Sequence, residues 1–352
     1  MIPFRGIGET GDILNVKKFG AIGNGTADDT AVIQSCLNSA DGGIYLPPGN
    51  SRVSGLTTPN RVGGLIVGAG PGVTTLNLLN NSNTNILETF KGFWLLRDFG
   101  VEGNSTGQST GHGIKVSDNQ GRTWMDNLWI NDCKQNGIYM NGTSPAPSFA
   151  GRMNNIMIRG CLSNGIEATT FGYDWELNNV WIGACTGDGV KISSGEWHIA
   201  NIHSWGNGGH GIHIMGVDNN KILGAYLETN TGFGIKCENN TRGLSLNGGH
   251  VWKNTGGGID LLGSGTRFGA ISGVVISDNT GPGITLDACT DMSITGNTIY
   301  DIQGGKTQTY AIFGQNATDR HVVVGNIMRA ADHVTGSSSA LGAATSAANN
   351  QV

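Results

Sequence analysis

The sequence predicts an all-β fold, a right-handed parallel β-helix: a single-stranded solenoid with an N-terminal capping helix. Three observations predict it. A Gly-aliphatic pair returns eight times, as Gly113-Ile114, Gly137-Ile138, Gly165-Ile166, Gly189-Val190, Gly211-Ile212, Gly234-Ile235, Gly258-Ile259 and Gly283-Ile284, with successive aliphatic positions 24, 28, 24, 22, 23, 24 and 25 residues apart. A second phrase keeps step with it through Leu128-Trp129-Ile130, Ile156-Met157-Ile158, Val180-Trp181-Ile182, Ile202-His203-Ser204 and Ala225-Tyr226-Leu227. Both alternate inward aliphatic with outward polar or aromatic residues, the period of a strand rather than a helix. The chain also carries 59 glycines and only 13% charged residues, a balance that suits short strands joined by many turns. Repeats of this length stack as solenoid coils, each rising by ~4.8 Å.

Taken in order, residues 1–15 form a lead-in without pattern, and residues 16–329 carry the solenoid. After the Gly23-Asn24-Gly25 turn, Asp28 or Asp29 is placed to cap a helix over residues 28–39, with Val32, Ile33, Cys36 and Leu37 on one face. Asp41-Gly42-Gly43 stops it, and the strand Ile44-Tyr45-Leu46 and the turn Pro47-Pro48-Gly49 follow. The helix is expected to lid the first coil, whose strand edges would otherwise stand unpaired. Residues 330–352, mostly Ala, Ser, Gly and Asn, carry too little apolar surface for another coil and read as a tail.

Stacking the coils exposes columns. Asn127, Asn155, Asn179 and Asn201 share a position that Gly224, Gly248, Gly273 and Gly296 then take over, all residue types that tolerate a left-handed turn. Another column runs Cys133, Cys161, Cys185, Asn207, Asn230, Asn254 and Asn279, where amides can bond from rung to rung. Parallel in-register side chains suit disulfide torsion poorly, so all six cysteines are expected to be reduced. No CxxC or Cys/His spacing marks a metal site. A net charge of -5 argues against nucleic acid or an acidic membrane surface as partner. No apolar run reaches the length of a membrane span, so no membrane insertion is expected. The start, Met1-Ile2-Pro3-Phe4-Arg5, has no apolar signal core. Synthesis in a cytoplasm is the expectation, with departure by a route other than a classical signal peptide if the protein is exported.

The run from Val16 to Gly49, with Phe19-Gly20-Ala21, Asp28-Asp29-Thr30 and Gly42-Gly43 leading to Pro47-Pro48-Gly49, resembles the opening of the pectate-lyase-like superfamily. In particular it resembles the branch common in bacteriophage tailspikes and polysaccharide depolymerases. Leu65-Ile66-Val67-Gly68-Ala69-Gly70 and Thr74-Thr75-Leu76 continue the likeness into the first coil. Many relatives carry Asp between the glycines where Asn24 stands here, a departure confined to the lid. The resemblance implies a homotrimer on a virion tail, or another extracellular placement, acting on a polysaccharide. It does not choose a chemistry, because the superfamily holds hydrolases, lyases, epimerases and non-catalytic spikes.

Chemistry is expected on the outward columns of the middle coils. One reads Trp129, Met157, Trp181, His203, Tyr226, His250; the next reads Asn131, Arg159, Gly183, Trp205, Glu228, Trp252. Aromatic rings beside carboxylates and amides suit a sugar groove, so Trp175, Trp181, Trp197, His198, His203, Trp205, Tyr226 and Trp252 are the expected substrate-binding residues. Asp174 and Glu196 occupy one position in adjacent coils, ~5 Å apart in backbone, the spacing of a retaining glycosidase pair. They are the expected acid and base or nucleophile of a hydrolase needing no cofactor, with Glu176 and Glu228 as further catalytic candidates. Two alternatives stand beside this. A lyase would use His198, His203 or Tyr226 as base, with Ca²⁺ held by Asp174, Glu176 and Glu196. An adhesin would only bind glycan. The stripe Lys115, Tyr139, Glu167, Lys191, His213, Lys236, Asp260, Thr285 reads as a structural charge ladder, and His112 and His210 read as surface residues at turns.

Overall fold

The computed structural model describes residues 13–61, 63–90, 92–117, 122–142, 148–170, 172–339, 346–348 and 350, so most of the expected lead-in lies outside the described residues. The chain is a parallel β-solenoid, divided into two compact units: Met1–Ser163 with Thr170–Gly172, and Asn164–Thr169 with Tyr173–Val352.

In the first unit, α1 (Thr30–Ser39) buries Ile33, Cys36 and Leu37 while Val32 stays half-exposed. Asp28 accepts hydrogen bonds from the backbone and hydroxyl of Thr30, whereas Asp29 points back to accept the amides of Ile22 and Gly23. The lid works through one side chain. Gln34 donates to the Thr57 carbonyl at 2.8 Å and accepts the Thr57 amide at 2.9 Å, pairing the backbone of Leu56–Thr57, the terminal strand of its sheet. A glutamine thereby replaces the missing neighbour strand.

In the second unit the inward column is a ladder. Ile166, Val190, Ile212, Ile235, Ile259 and Ile284 pair rung to rung and are fully buried. The glycine before each is demanded by close approach. A Cβ on Gly189 would stand 2.1 Å from the Ser204 hydroxyl and one on Gly211 would stand 2.6 Å from the Gly234 carbonyl. The predicted turn column also holds. Asn179 and Asn201 have φ of 53° and 52°, and Gly224 and Gly248 follow at 62° and 61°. One left-handed residue in an otherwise extended run turns the chain and shifts the alternation by one.

All six cysteines are free and buried. Where the cysteine column becomes asparagine, the amides chain together. Asn207 donates its side-chain nitrogen to Asn230 at 2.9 Å, Asn230 to Asn254 at 2.9 Å, and Asn254 to Asn279 at 3.1 Å. Each carbonyl oxygen also accepts the backbone amide of the rung before. Asn230→Leu strands the Asn207 amide in the core, so urea denaturation should show a loss of roughly 3 kcal/mol.

The outward charge stripe is largely paired, as Glu88–Lys115 at 3.0 Å, Glu167–Lys191 at 3.6 Å and Lys236–Glu238 at 3.1 Å. Asp260 departs from this pattern. Burial raises its carboxyl from 3.8 to about 6, with Asp287 and Glu238 adding to the rise against the pull of Lys236. An acid whose folded-state pKa is raised adds stability below its unfolded pKa and loses it as pH climbs through the folded one. The rise corresponds to about 3 kcal/mol. Asp260→Asn should therefore match the parent at pH 4 and exceed it by up to about 3 kcal/mol at pH 8, read from denaturation midpoints across pH.

The expected tail is corrected. Gly336–Ser339 pairs with Tyr310–Gln315, and Ser346–Ala348 pairs with Val322–Val324. Asn350 extends a second amide ladder by accepting from Asn326 at 3.1 Å. Backbone pairing and amide bonds let small residues continue the coils without large apolar side chains. Residues 340–345, 349 and 351–352 of that segment lie outside the described residues.

Candidate functional site

Strand pairing in the second unit fixes two outward columns. Trp181, His203, Tyr226 and His250 are successive partners, as are Gly183, Trp205, Glu228 and Trp252. Their rings touch throughout. His203 lies 4.8 Å from both Trp205 and Tyr226, Trp181 meets His203 edge-on at 5.3 Å, and Tyr226 lies 5.7 Å from His250. Trp205 fits because Gly183 precedes it in its column: a Cβ there would stand 2.2 Å from the indole. Trp181 is 46% exposed, whereas Trp205 and Trp252 are half-buried, giving a graded apolar platform.

At its centre stands one carboxylate. Glu228 meets His203 Nε2 at 2.9 Å, and both side chains are about one-fifth exposed. Burial, together with the nearby Glu228 carboxylate, pushes the Tyr226 hydroxyl above its usual range. Burial holds the His250 imidazole below its ordinary value, and His250 bonds Ser277 at 2.9 Å. Trp252 donates to Asp278 at 3.0 Å and lies 4.4 Å under the Lys253 ammonium. Glu228 and His203, with Tyr226 beside them, form a set that can move a proton at a group held on the platform.

The remaining expected site residues are elsewhere. Trp175 and Trp197 are fully buried and stack on each other at 6.0 Å, so the expectation that they bind substrate is corrected. They point inward because Asp174 and Glu176, one residue to either side of Trp175, point outward. Asp174, Glu176, Glu196 and His198 are exposed, with Glu176 paired to His198 in register and Glu196 accepting from Asn219 at 3.0 Å. The left-handed residues Asn179 and Asn201 stand between these acids and the aromatic columns, so the two groups do not form one cluster.

The other outward sheet of this unit joins residues that the sequence reading kept apart: the Asp188–His210 stack, set aside as mere adjacency, and His213 of the charge ladder. Asp188 accepts the His210 amide at 2.6 Å through one oxygen and meets His213 Nδ1 at 3.0 Å through the other. His213 Nε2 meets Glu238 at 3.2 Å. His210 Nδ1 accepts the Phe233 amide at 2.9 Å, so His210 is a built part of its turn rather than a loose surface residue. Burial lowers the His210 imidazole to about 4. Burial pushes the Asp188 carboxyl up, but bonds from His213 and the His210 amide outweigh it and hold the group below its usual range. His112 repeats the device in the first unit, accepting the Asn136 amide at 3.1 Å and stacking on Tyr139 at 4.3 Å. The shared phrase Gly-His-Gly-Ile was the available signal.

Comparison with known proteins bears on this geometry. A family model described as periplasmic copper-binding protein (NosD) matches residues 178–338. Mannuronan C5-epimerase AlgE3 of Azotobacter vinelandii is 42% identical over 84 residues, a stretch that is 20% of this chain and 4% of that protein. The chain thus spans only a small part of that relative's length. Among solved structures, the A-module of Azotobacter vinelandii mannuronan C-5 epimerase AlgE4 superposes with a TM-score of 0.73 at 20% identity, covering 95% of this chain and 100% of the module. The enzymatically active domain of bacteriophage CBA120 tailspike protein 2 gives 0.68 at 15% identity, covering 95% of this chain and 51% of that one. These likenesses show the fold, a parallel β-helix.

Proposed function

We propose that this chain binds a polysaccharide along Trp181, Trp205 and Trp252 and acts on it by proton transfer through Glu228, His203 and Tyr226. One observation carries the reading: a His bonds a carboxylate in the middle of an aromatic platform, with a Tyr beside the pair. Along its column Glu228 is flanked by Trp205 and Trp252, not by a second carboxylate. That set suits removal of a carbon-bound proton beside a sugar carboxyl group, the step that lyases and C5-epimerases share, better than paired-acid hydrolysis. The short epimerase match and the tailspike likeness support a polysaccharide as the substrate. The tailspike likeness also supports a homotrimer acting on a bacterial surface glycan from a virion tail, and light scattering reads the assembly directly.

Hydrolysis is the second reading, favoured by Asp174 and Glu196, which immediately precede two register-paired strands. Neither reaction, as derived from these side chains, calls on the copper named in the NosD description. The donor set that fits such an ion among the described residues is on the other sheet.

The test is a panel of acidic and neutral polysaccharides, incubated with and without Ca²⁺. Unsaturated products identify a lyase, and altered uronate composition at constant length identifies an epimerase. Reducing ends without unsaturation support the hydrolase and overturn the proton-abstraction reading. Binding without any chemical change leaves an adhesin. Trp181→Ala should weaken glycan retention in affinity electrophoresis by roughly tenfold, about 1.4 kcal/mol, with an unchanged melting temperature.

A further inference from the structure

We propose that Asp188, His210 and His213 form a binding site for one divalent first-row transition-metal ion of borderline softness. One donor atom from each lies within 4.8 Å of the others. Two imidazole nitrogens and a carboxylate oxygen suit zinc or copper, and they leave a coordination position open.

Each side chain is already oriented for this task by a bond to an atom the ion would not use. His210 accepts the Phe233 amide on Nδ1, which leaves Nε2 as the nitrogen open to an ion. His213 meets Glu238 on Nε2, which leaves Nδ1 beside Asp188. Asp188 accepts the His210 amide on Oδ1 and keeps Oδ2 on the side of His213. A carboxylate behind a ligating histidine fixes the ring and raises its basicity, and Glu238 stands in that place.

The backbone has made room for the arrangement. A Cβ on Gly209 would stand 2.3 Å from Asp188 Oδ1, and one on Gly232 would stand 2.4 Å from His210 Nδ1. Both positions need glycine for the side chains to lie where they do. The two cations beside His213 in its column are matched by acids. Lys191 pairs with Glu167 at 3.6 Å and Lys236 with Glu238 at 3.1 Å, which moderates their repulsion of an incoming ion. Asp188 and His213 are each only 8% exposed, so an ion held there would be largely withdrawn from water.

The test uses the full chain, stripped with chelator and titrated calorimetrically with zinc chloride. One equivalent should bind and raise the melting temperature. Copper(II) in the same site should give an electron paramagnetic resonance spectrum split by two imidazole nitrogens. His210→Gln should abolish that two-nitrogen pattern. Glu238→Gln, which leaves all three donors in place, should weaken zinc by about 10- to 100-fold. The proposal is overturned if the parent chain takes up neither ion stoichiometrically. It is equally overturned if calcium binds there in preference, or if His210→Gln and Asp188→Asn bind zinc as the parent does. The parent titration decides the matter even if a variant does not fold.

Discussion

Ile212→Asp unfolds the second unit at room temperature or brings it to the edge of unfolding. Ile212 is fully buried between Val190 and Ile235 in the core ladder, where an aspartate finds no cation and no water. An unpaired buried charge of this kind costs more than about 4 kcal/mol, a large share of a domain's stability. In a solenoid the damage falls on the rung and its two neighbours, so the loss is not diluted by distant coils. Ile212→Val, which only removes a methylene, should cost about 1 kcal/mol. Urea titrations followed by tryptophan fluorescence check both, since Trp175 and Trp197 are buried reporters within the same unit. An Ile212→Asp variant that melts with the parent would break the assigned register.

The second large effect belongs to Glu228. Glu228→Gln keeps the shape and an acceptor for His203 but removes the charge that both His203 and Tyr226 address. Turnover on the polysaccharide found by the panel should fall by about 10²-fold or more, with glycan retention and melting temperature preserved. Asp174→Asn and Glu196→Gln should each leave turnover within a few-fold of the parent. The reverse pattern, with Glu228→Gln active and the two exposed acids essential, would transfer catalysis to the strand openings and restore the hydrolase.

Much of the fold was legible because period two and a recurring glycine are strong, redundant signals. The inward ladder, the left-handed Asn/Gly column and the amide ladder all stand where the stacked sequence puts them. The site was legible in part. Trp181, His203, Tyr226, Trp205, Glu228 and Trp252 were placed outward correctly, since they follow the turn column and share its alternation. Trp175 and Trp197 were misassigned against that same alternation, because Asp174 and Glu176 cannot both face outward unless Trp175 faces in. The left-handed residue at Asn179 also hides from a simple count that the acids before it and the aromatics after it belong to separate groups. The Asp188, His210 and His213 group was illegible for another reason. Asp188 and His210 share a column, the residue before each repeated glycine, whereas His213 stands in the charge stripe three residues on, and the bond between the two columns is not visible in the spacing.

The amide ladder bears on how such a chain is inherited. Asn207, Asn230, Asn254 and Asn279 are 23, 24 and 25 residues apart, and each hands the same donor and acceptor to the next. Deleting one whole coil would set Asn207 against Asn254 with every amide still matched, and duplicating one would do the same. A single-residue insertion within a strand has no such escape, since it turns the remaining side chains of that strand to the wrong face. The gene can therefore lengthen or shorten by whole coils at little cost, in steps of ~4.8 Å of platform. The length of the surface and the group at its centre are separately mutable traits wherever the coil gained or lost is not the one that carries Glu228 and Asn230.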